Sequence, residues 1–437
     1  MKNDSHNLKS WLKHIESFHS EEIELGLERI KRIANKLNLL ALDSQVVTIA
    51  GTNGKGSCVA TLESFAIQNE LAIGCYTSPH LLKFNERIRL NGKDISDNKL
   101  ISAFQEIELA RQSTPLTFFE FTTLVALQIF KQAELDLVVL EVGLGGRLDA
   151  VNIVEPDVSI VTTIALDHEA WLGSSLREIA FEKSGIYRKH STNLVGDQAS
   201  YDLIAKARPE FVPELLLLSS VEEEKGLISA LSKLVADFRF NRYRLLSQNI
   251  LLAACAFNRL FPDLFAKTDL EKMLTNIKIK GRFEQMCEQP LVIADVAHNT
   301  QAAQNLRNQI EFLNPGGKRI AICGMMADKS ICDFLKVMDE VIDTWYFIGL
   351  PVDRAATAED LGDLYVSILK NHDSSIDGKK LLNKKYHLNE NLSDAYKKIS
   401  GELAECRASS VSGNETIFIL GSFFTVAEMC QYQHDNN

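Results

Sequence analysis

Between Val47 and Phe65 the chain reads VTIAGTNGKGSCVATLESF. The pattern is a buried-type strand, a glycine-rich turn and the start of a helix. Backbone N–H groups at a helix start attract anions, helped by the helix dipole. Glycines let the backbone close on phosphate oxygens, a lysine reaches the terminal phosphates, and a hydroxyl can ligate a divalent cation. Gly51, Gly54, Lys55, Gly56 and Ser57 supply all of these parts. The spacing departs from the common G-x-x-x-x-G-K-[ST] pattern. Two residues separate Gly51 from Gly54-Lys55, and Gly56 intervenes before Ser57. A plain glycine turn between two elements is the alternative.

Further candidates lie after other strand-like runs. Glu141 ends LDLVVLE, where an acid in such a sheet would face a metal-bound phosphate. His168 comes after a buried run in IALDHEAWLG, and ligands gather at the carboxyl ends of parallel strands. Lys183 in FEKSGIYR reads, by composition alone, as a solvated helix lysine. LVIADVAHN brings Asp295, His298 and Asn299, and GRFE brings Arg282 just before it. A strand-end acid and an arginine suit a nucleotide between two domains, the acid for ribose hydroxyls and the arginine for phosphate.

Apolar runs and helical periodicities alternate, which places these residues on a mainly parallel α/β sheet. Residues 8–40 read as helical, SCVATLESFAIQN and QNILLAACAFNRLF as helices, and IGCYTSPHL as a second strand. Residues 196–247 are the least readable, LLLLSSVEEEKGLISALSKLVADF being helical or mixed. A second α/β unit has strands at 291–295, 319–324, 344–349 and 416–421. At 437 residues the chain suits two domains, split within Gly281–Pro290 as 1–285 and 286–437. The net charge of −11 argues against a nucleic-acid surface. The 8 cysteines form no C-x-x-C pair, which suits a reducing cytoplasm. With no apolar leader and no long apolar run, neither secretion nor a membrane span is expected.

GTNGKGS, TSPHL, NERIRLNG, FFEFTTL, LEVGLGGRLDAVNIV, IALDHEAWLG, EKSGI, GRFE, DVAHN and GSFFTVAE occur in order. Together they resemble the dihydrofolate synthase/folylpolyglutamate synthase family of the Mur ligase superfamily, from about residue 9 to 430. The resemblance implies a P-loop-containing, mainly parallel sheet domain of the Mur ligase central-domain type. A smaller Rossmann-like α/β C-terminal domain for glutamate ligation would come after it. The resemblance also implies ATP-dependent amide formation: a carboxylate takes the γ-phosphoryl group, and L-glutamate displaces phosphate from the acyl phosphate.

The same resemblance assigns Thr52, Asn53, Gly54, Lys55, Gly56, Ser57, Asn249, Arg282 and Asp295 to ATP. It gives Ser57, Ser78, Glu141 and His168 to Mg²⁺, and makes Lys55, His168, Lys183 and His298 catalytic. Lys183 matches the family's carbamylated lysine (N6-carboxylysine). Pterin contacts fall on Glu24, Leu25, Gly26 and Leu27, on Thr117, Phe118, Phe119 and Glu120, and on Leu148, Asp149 and Ala150. Expected cofactors are ATP, one or two Mg²⁺ ions and, optionally, a monovalent cation. Expected substrates are dihydropteroate, reduced folates and L-glutamate, handled by a cytoplasmic monomer without nucleic-acid or membrane partners.

Both pterin segments favour a bifunctional enzyme over one that only extends glutamate tails. A UDP-muramoyl amino-acid ligase is the other alternative, though only 50 residues precede Gly51, short of a separate sugar domain. Four positions depart from the family pattern: Phe424 where bifunctional relatives often carry His, Lys280 for a proline, Ala355 for a glycine and Ser330 for an aspartate. They touch expectations about the second domain.

Overall fold

The computed structural model describes residues 7–19, 24–220, 231, 233–235, 247–277, 279–372, 385–408 and 415–436. Two compact units divide the chain, Met1–Lys278 and Ile279–Asn437. The break precedes the expected one at 285/286 for a local reason. The Val296 N–H donates to the Gly281 carbonyl, and the Phe283 N–H donates to Asp295, so the GRFE segment is bonded into the second unit.

The first unit holds an eight-stranded sheet in the order β4-β3-β2-β5-β1-β6-β7-β8. The strands are β1 (Gln45–Ala50), β2 (Ile73–Tyr76), β3 (Ile88–Leu90), β4 (Lys93–Asp94), β5 (Leu137–Glu141), β6 (Val158–Val161), β7 (Thr192–Val195) and β8 (Leu215–Leu217). From β2 to β8 every pairing is parallel, while β3 and β4 form an antiparallel edge. The central strands β1, β5 and β6 are buried almost throughout, as parallel strands covered on both faces must be.

The helix Lys55–Gln68 starts directly after Gly54 and buries Cys58, Val59, Leu62 and Phe65. It packs on Ser247–Leu260, with Phe65 and Phe257 stacked at 4.9 Å. The helix Phe118–Lys131 is capped reciprocally: Glu120 N–H donates to Thr117, and Thr117 N–H donates to the Glu120 carboxylate. The expected helical span 8–40 is two helices, Leu8–Glu16 and Glu28–Lys36, with 24–27 irregular before the second. Within the hard-to-read stretch, Leu215–Leu217 is an edge strand, and most of residues 221–246 lie outside the described residues.

The second unit holds a six-stranded sheet in the order β13-β12-β11-β14-β10-β9. Its strands are β9 (Glu284–Glu288), β10 (Leu291–Ala294), β11 (Arg319–Cys323), β12 (Thr344–Ile348), β13 (Lys385–Asn389) and β14 (Thr416–Leu420). All pairings are parallel except that of β9 with β10. Each unit has its own apolar core, that of the second built on Phe334, Trp345, Phe347, Tyr365 and Phe418.

Candidate active site

In the first sheet β2, β5, β1 and β6 are consecutive neighbours and run in the same direction. Their carboxyl ends therefore bring Ser78, Glu141, the loop 51–57 and Thr162–His168 into one row. This edge of a parallel sheet is where ligands bind.

The loop after β1 is fastened to the end of β6. Thr52 N–H donates to the Thr163 carbonyl at 2.8 Å, and the Thr162 hydroxyl donates to the Asn53 carbonyl at 2.7 Å. A Cβ on Gly51 would lie 1.8 Å from the Thr162 hydroxyl, so only glycine permits this approach. Gly54 has φ +96°, and a Cβ there would strike the Asn249 amide 2.4–2.7 Å away. Lys55 bends back over the loop, its Nζ donating to the Gly51 and Thr52 carbonyls at 2.9 and 3.3 Å. Among the described residues a Cβ on Gly56 would meet nothing within 4 Å, so open volume faces this turn. Asn249 is fully buried, yet among the described residues neither atom of its side-chain amide has a hydrogen-bond partner. An unpartnered buried amide beside a loop of this kind fits a nucleotide.

Glu141 is buried at the end of β5 and accepts a long 3.4 Å bond from the Ser78 N–H. His168 adopts a left-handed conformation, φ +52°, at the start of the Glu169–Leu172 turn, and its side chain is 41% exposed. Its Nε2 lies 3.9 Å from Asp167 Oδ2. Lys183 is not the solvated helix lysine that composition suggested: it is 5% exposed. Burial, reinforced by the Lys55 charge, brings its amine down to about 7, while Asp167 and Asp149 act in the opposite sense. Lys55, Asp149, Asp167 and Lys183 thus share one electrostatic neighbourhood. Asp149 is buried too and pushed up to about 6, chiefly by desolvation. Its oxygens accept from the Leu144 and Val151 N–H groups at 2.8 and 3.0 Å, so it shapes the 143–151 loop as well as facing the site.

Two of the three expected pterin segments, 24–27 and 117–120, are joined by a residue that sequence reasoning missed. Arg29 donates through Nε to both Glu120 oxygens at 2.8 Å and pairs with Glu24 through Nη1. Residues 24–27 are thereby tied to the start of the helix Phe118–Lys131. Phe119 stacks on Tyr76 with ring centroids 5.8 Å apart. Thr117, Glu120 and Ala150 are buried, whereas Leu25, Gly26, Leu27, Phe118, Phe119 and Leu148 are half-buried and Glu24 is exposed.

In the second unit Asp295, just beyond β10, accepts from the Phe283 and Ala297 N–H groups at 2.7 and 2.8 Å. Desolvation raises its pKa, with Arg282 as the main opposing influence. His298 donates from Nδ1 to the Val296 carbonyl at 2.8 Å. The Phe423 ring lies 5.6 Å from the Arg282 guanidinium and 6.4 Å from the His298 ring.

The donor set in the first unit fits Mg²⁺, which prefers hard oxygens and keeps waters and phosphates as ligands. Among the described residues no group of three or more His, Cys, Asp or Glu could hold a metal. One carboxylate, two serine hydroxyls and nucleotide oxygens make a site of that open kind. Besides Arg29, Asp167, Thr162 and Thr163 escaped the sequence reading. Asp167 adjoins His168 within LDHEAW, a signal that was available; the threonines carried none.

A family model described as Mur ligase, glutamate ligase domain, matches residues 281–422. The dihydrofolate synthase/folylpolyglutamate synthase of Escherichia coli strain K12 is 39% identical over 81% of this chain and 84% of its own length. That of Buchnera aphidicola subsp. Acyrthosiphon pisum is 34% identical over 98% of both. The crystal structure of the bifunctional folylpolyglutamate synthase/dihydrofolate synthase from Yersinia pestis, complexed with AMPPNP and a Mn ion, is 33% identical. It superposes with a TM-score of 0.82 over 99% of this chain and 100% of its own.

Proposed function

This chain belongs to the dihydrofolate synthase/folylpolyglutamate synthase family, and from that premise we propose that it uses ATP to join L-glutamate to dihydropteroate and then to reduced folates. The observation that carries the reading is the meeting of the loop 51–57 with Ser78 and Glu141 at neighbouring strand ends, with open volume over Gly56.

In this reading the loop N–H groups and Lys55 hold the β- and γ-phosphates. Asn249 supplies its unpartnered amide to the nucleotide, and Arg282 and Asp295 serve the same ligand. Ser57, Ser78, Glu141 and His168 would hold Mg²⁺, which neutralises phosphate charge when bound. The acceptor carboxylate oxygen bonds to the γ-phosphorus as the bond to the β-phosphate oxygen breaks, giving ADP and an acyl phosphate. The glutamate amine then attacks the acyl carbon. Its proton goes to a nearby base, phosphate departs, and an amide remains. Positioning and charge stabilisation carry most of such a phosphoryl transfer.

Lys183 enters as the carbamate. Its neutral amine bonds to the carbon of CO₂ and loses a proton, which turns a buried cation into an anion beside Lys55. His298 is taken as a further catalytic group. The segments around Glu24–Leu27, Thr117–Glu120 and Leu148–Ala150 cradle the pterin, with Phe119 as the stacking ring. A cytoplasmic monomer completes the reading; among the described residues no helix is long and apolar enough to cross a membrane.

Phosphate release from purified protein, with ATP and L-glutamate, tests the proposal with dihydropteroate and tetrahydrofolate side by side. Stimulation by both is expected. Stimulation by tetrahydrofolate alone would make the enzyme a monofunctional tail-extender, and no stimulation by either would reject the ligase reading.

A further inference from the structure

We propose that Arg87, held in place by His80, binds the carboxylate of the pterin-benzoate acceptor, the group that is to be activated, beside Glu141. The proposal rests on the functional reading above and adds a residue to it.

Arg87 closes the 3₁₀ turn Phe84–Arg87 and leads into β3, which pairs antiparallel with β2. Its carbonyl accepts from the Thr77 N–H at 2.8 Å, so it lies against the chain one residue before Ser78. Its guanidinium carbon is 5.6 Å from the centroid of the Phe118 ring and 5.7 Å from that of Phe84. Burial works against its charged form, and the Glu141 carboxylate is a nearby charge that favours it. Arg87 therefore touches the ring-binding side of the site through Phe118 and senses the phosphate side through Glu141.

The bonding of this arginine is incomplete. Nε donates to His80 Nδ1 at 2.8 Å. To accept that bond His80 must be neutral, with its own proton on Nε2. Among the described residues no carboxylate pairs with Arg87 and no acceptor takes its Nη groups. Arg29, Arg89, Arg111, Arg147 and Arg188, by contrast, each hold a carboxylate. A half-buried guanidinium with two Nη groups open for bonding suits a planar anion, and a carboxylate accepts such a fork in bidentate fashion. Neutral His80 fixes the guanidinium without spending its charge. An arginine present only to balance Glu141 would need no opening toward the aromatic side.

The test compares dihydropteroate with its carboxamide by calorimetric titration of the full-length protein. Wild type should bind the acid at least tenfold more tightly than the amide. R87Q should bind both at the amide's affinity, with an elevated KM for the acceptor and an unchanged KM for ATP. R87K, which keeps the charge but loses the fork, should fall between them. Equal binding of acid and amide by wild type overturns the proposal without any variant. Discrimination that survives in R87Q removes Arg87 alone, while turnover and the functional reading stand. Wild type that binds neither dihydropteroate nor folate overturns both.

Discussion

Gly56 shows how a single absent side chain can serve a ligand rather than the fold. Among the described residues nothing lies within 4 Å of where its Cβ would stand. Alanine there should leave the melting temperature unchanged or slightly higher, since alanine favours a helix over glycine by about 1 kcal/mol. ATP affinity, followed by titration, should nevertheless fall at least tenfold; unchanged affinity would show that the volume is not the phosphates'. Lys55→Ala should cost about 10²-fold or more in phosphate release, the scale for a donor aimed at developing charge. Lys183 makes a pH-dependent prediction. Its folded pKa of about 7 lies below the ordinary value of 10.5, so the unfolded chain binds more protons between those limits. The penalty for its buried charge is complete below about pH 7 and fades as pH rises toward 10.5. In CO₂-free buffer Lys183→Met should therefore raise the melting temperature more at pH 6 than at pH 9. With ¹³C-bicarbonate, a carbamate resonance should grow as pH rises through about 7 and be missing from Lys183→Ala. A wild-type spectrum without it would remove the modification from the mechanism.

At the scale of elements, Arg29 joins the 24–27 segment to the capped start of the helix Phe118–Lys131. The Glu120 side chain is buried in this pair, and losing one partner of a buried ion pair costs about 3–5 kcal/mol. Arg29→Met should lower stability on that order in urea unfolding. It should also weaken dihydropteroate binding while leaving ATP binding to the loop intact. Weakening of both ligands equally would mean that Arg29 supports the unit at large rather than this junction. The strand order supplies the other half of the argument. Because β5 and β6 flank β1, Glu141 and His168 fall on either side of the phosphate loop although 90 to 117 residues separate them from Gly51 in the chain.

At the scale of the whole molecule, two sheets carry two separate cores. The second unit, produced alone as 279–437, should unfold in one cooperative thermal transition, because its parallel strands are already covered by its own helices. The first unit alone lacks Arg282, Asp295 and His298 and should give no acceptor-dependent phosphate release. A second unit without a cooperative transition would show that its core depends on the first.

By itself the sequence determined the strand–loop–helix of the phosphate loop, the α/β class and the strands at 291–295, 319–324, 344–349 and 416–421. Each of these rests on local pattern: apolar runs, glycine spacing and helical periodicity lie within a few residues of one another. The ordered motifs added the family and a set of expected site residues. Tertiary structure alone decided which of those residues meet. Lys183 looked solvated because helix composition says nothing of what packs on it; its burial in the protein interior lowers its pKa, and the Lys55 charge adds to that effect. Arg29 carried no local signal because its partner Glu120 is 91 residues away. The β3–β4 edge and β8 went unread because strands of two or three residues have too few alternations to register, and it is their pairing onto β2 and β7 that makes them strands. Likewise the helical reading of 8–40 ran on past the end of Leu8–Glu16 and into the irregular residues 24–27 before Glu28–Lys36, because periodicity alone does not mark where a helix stops.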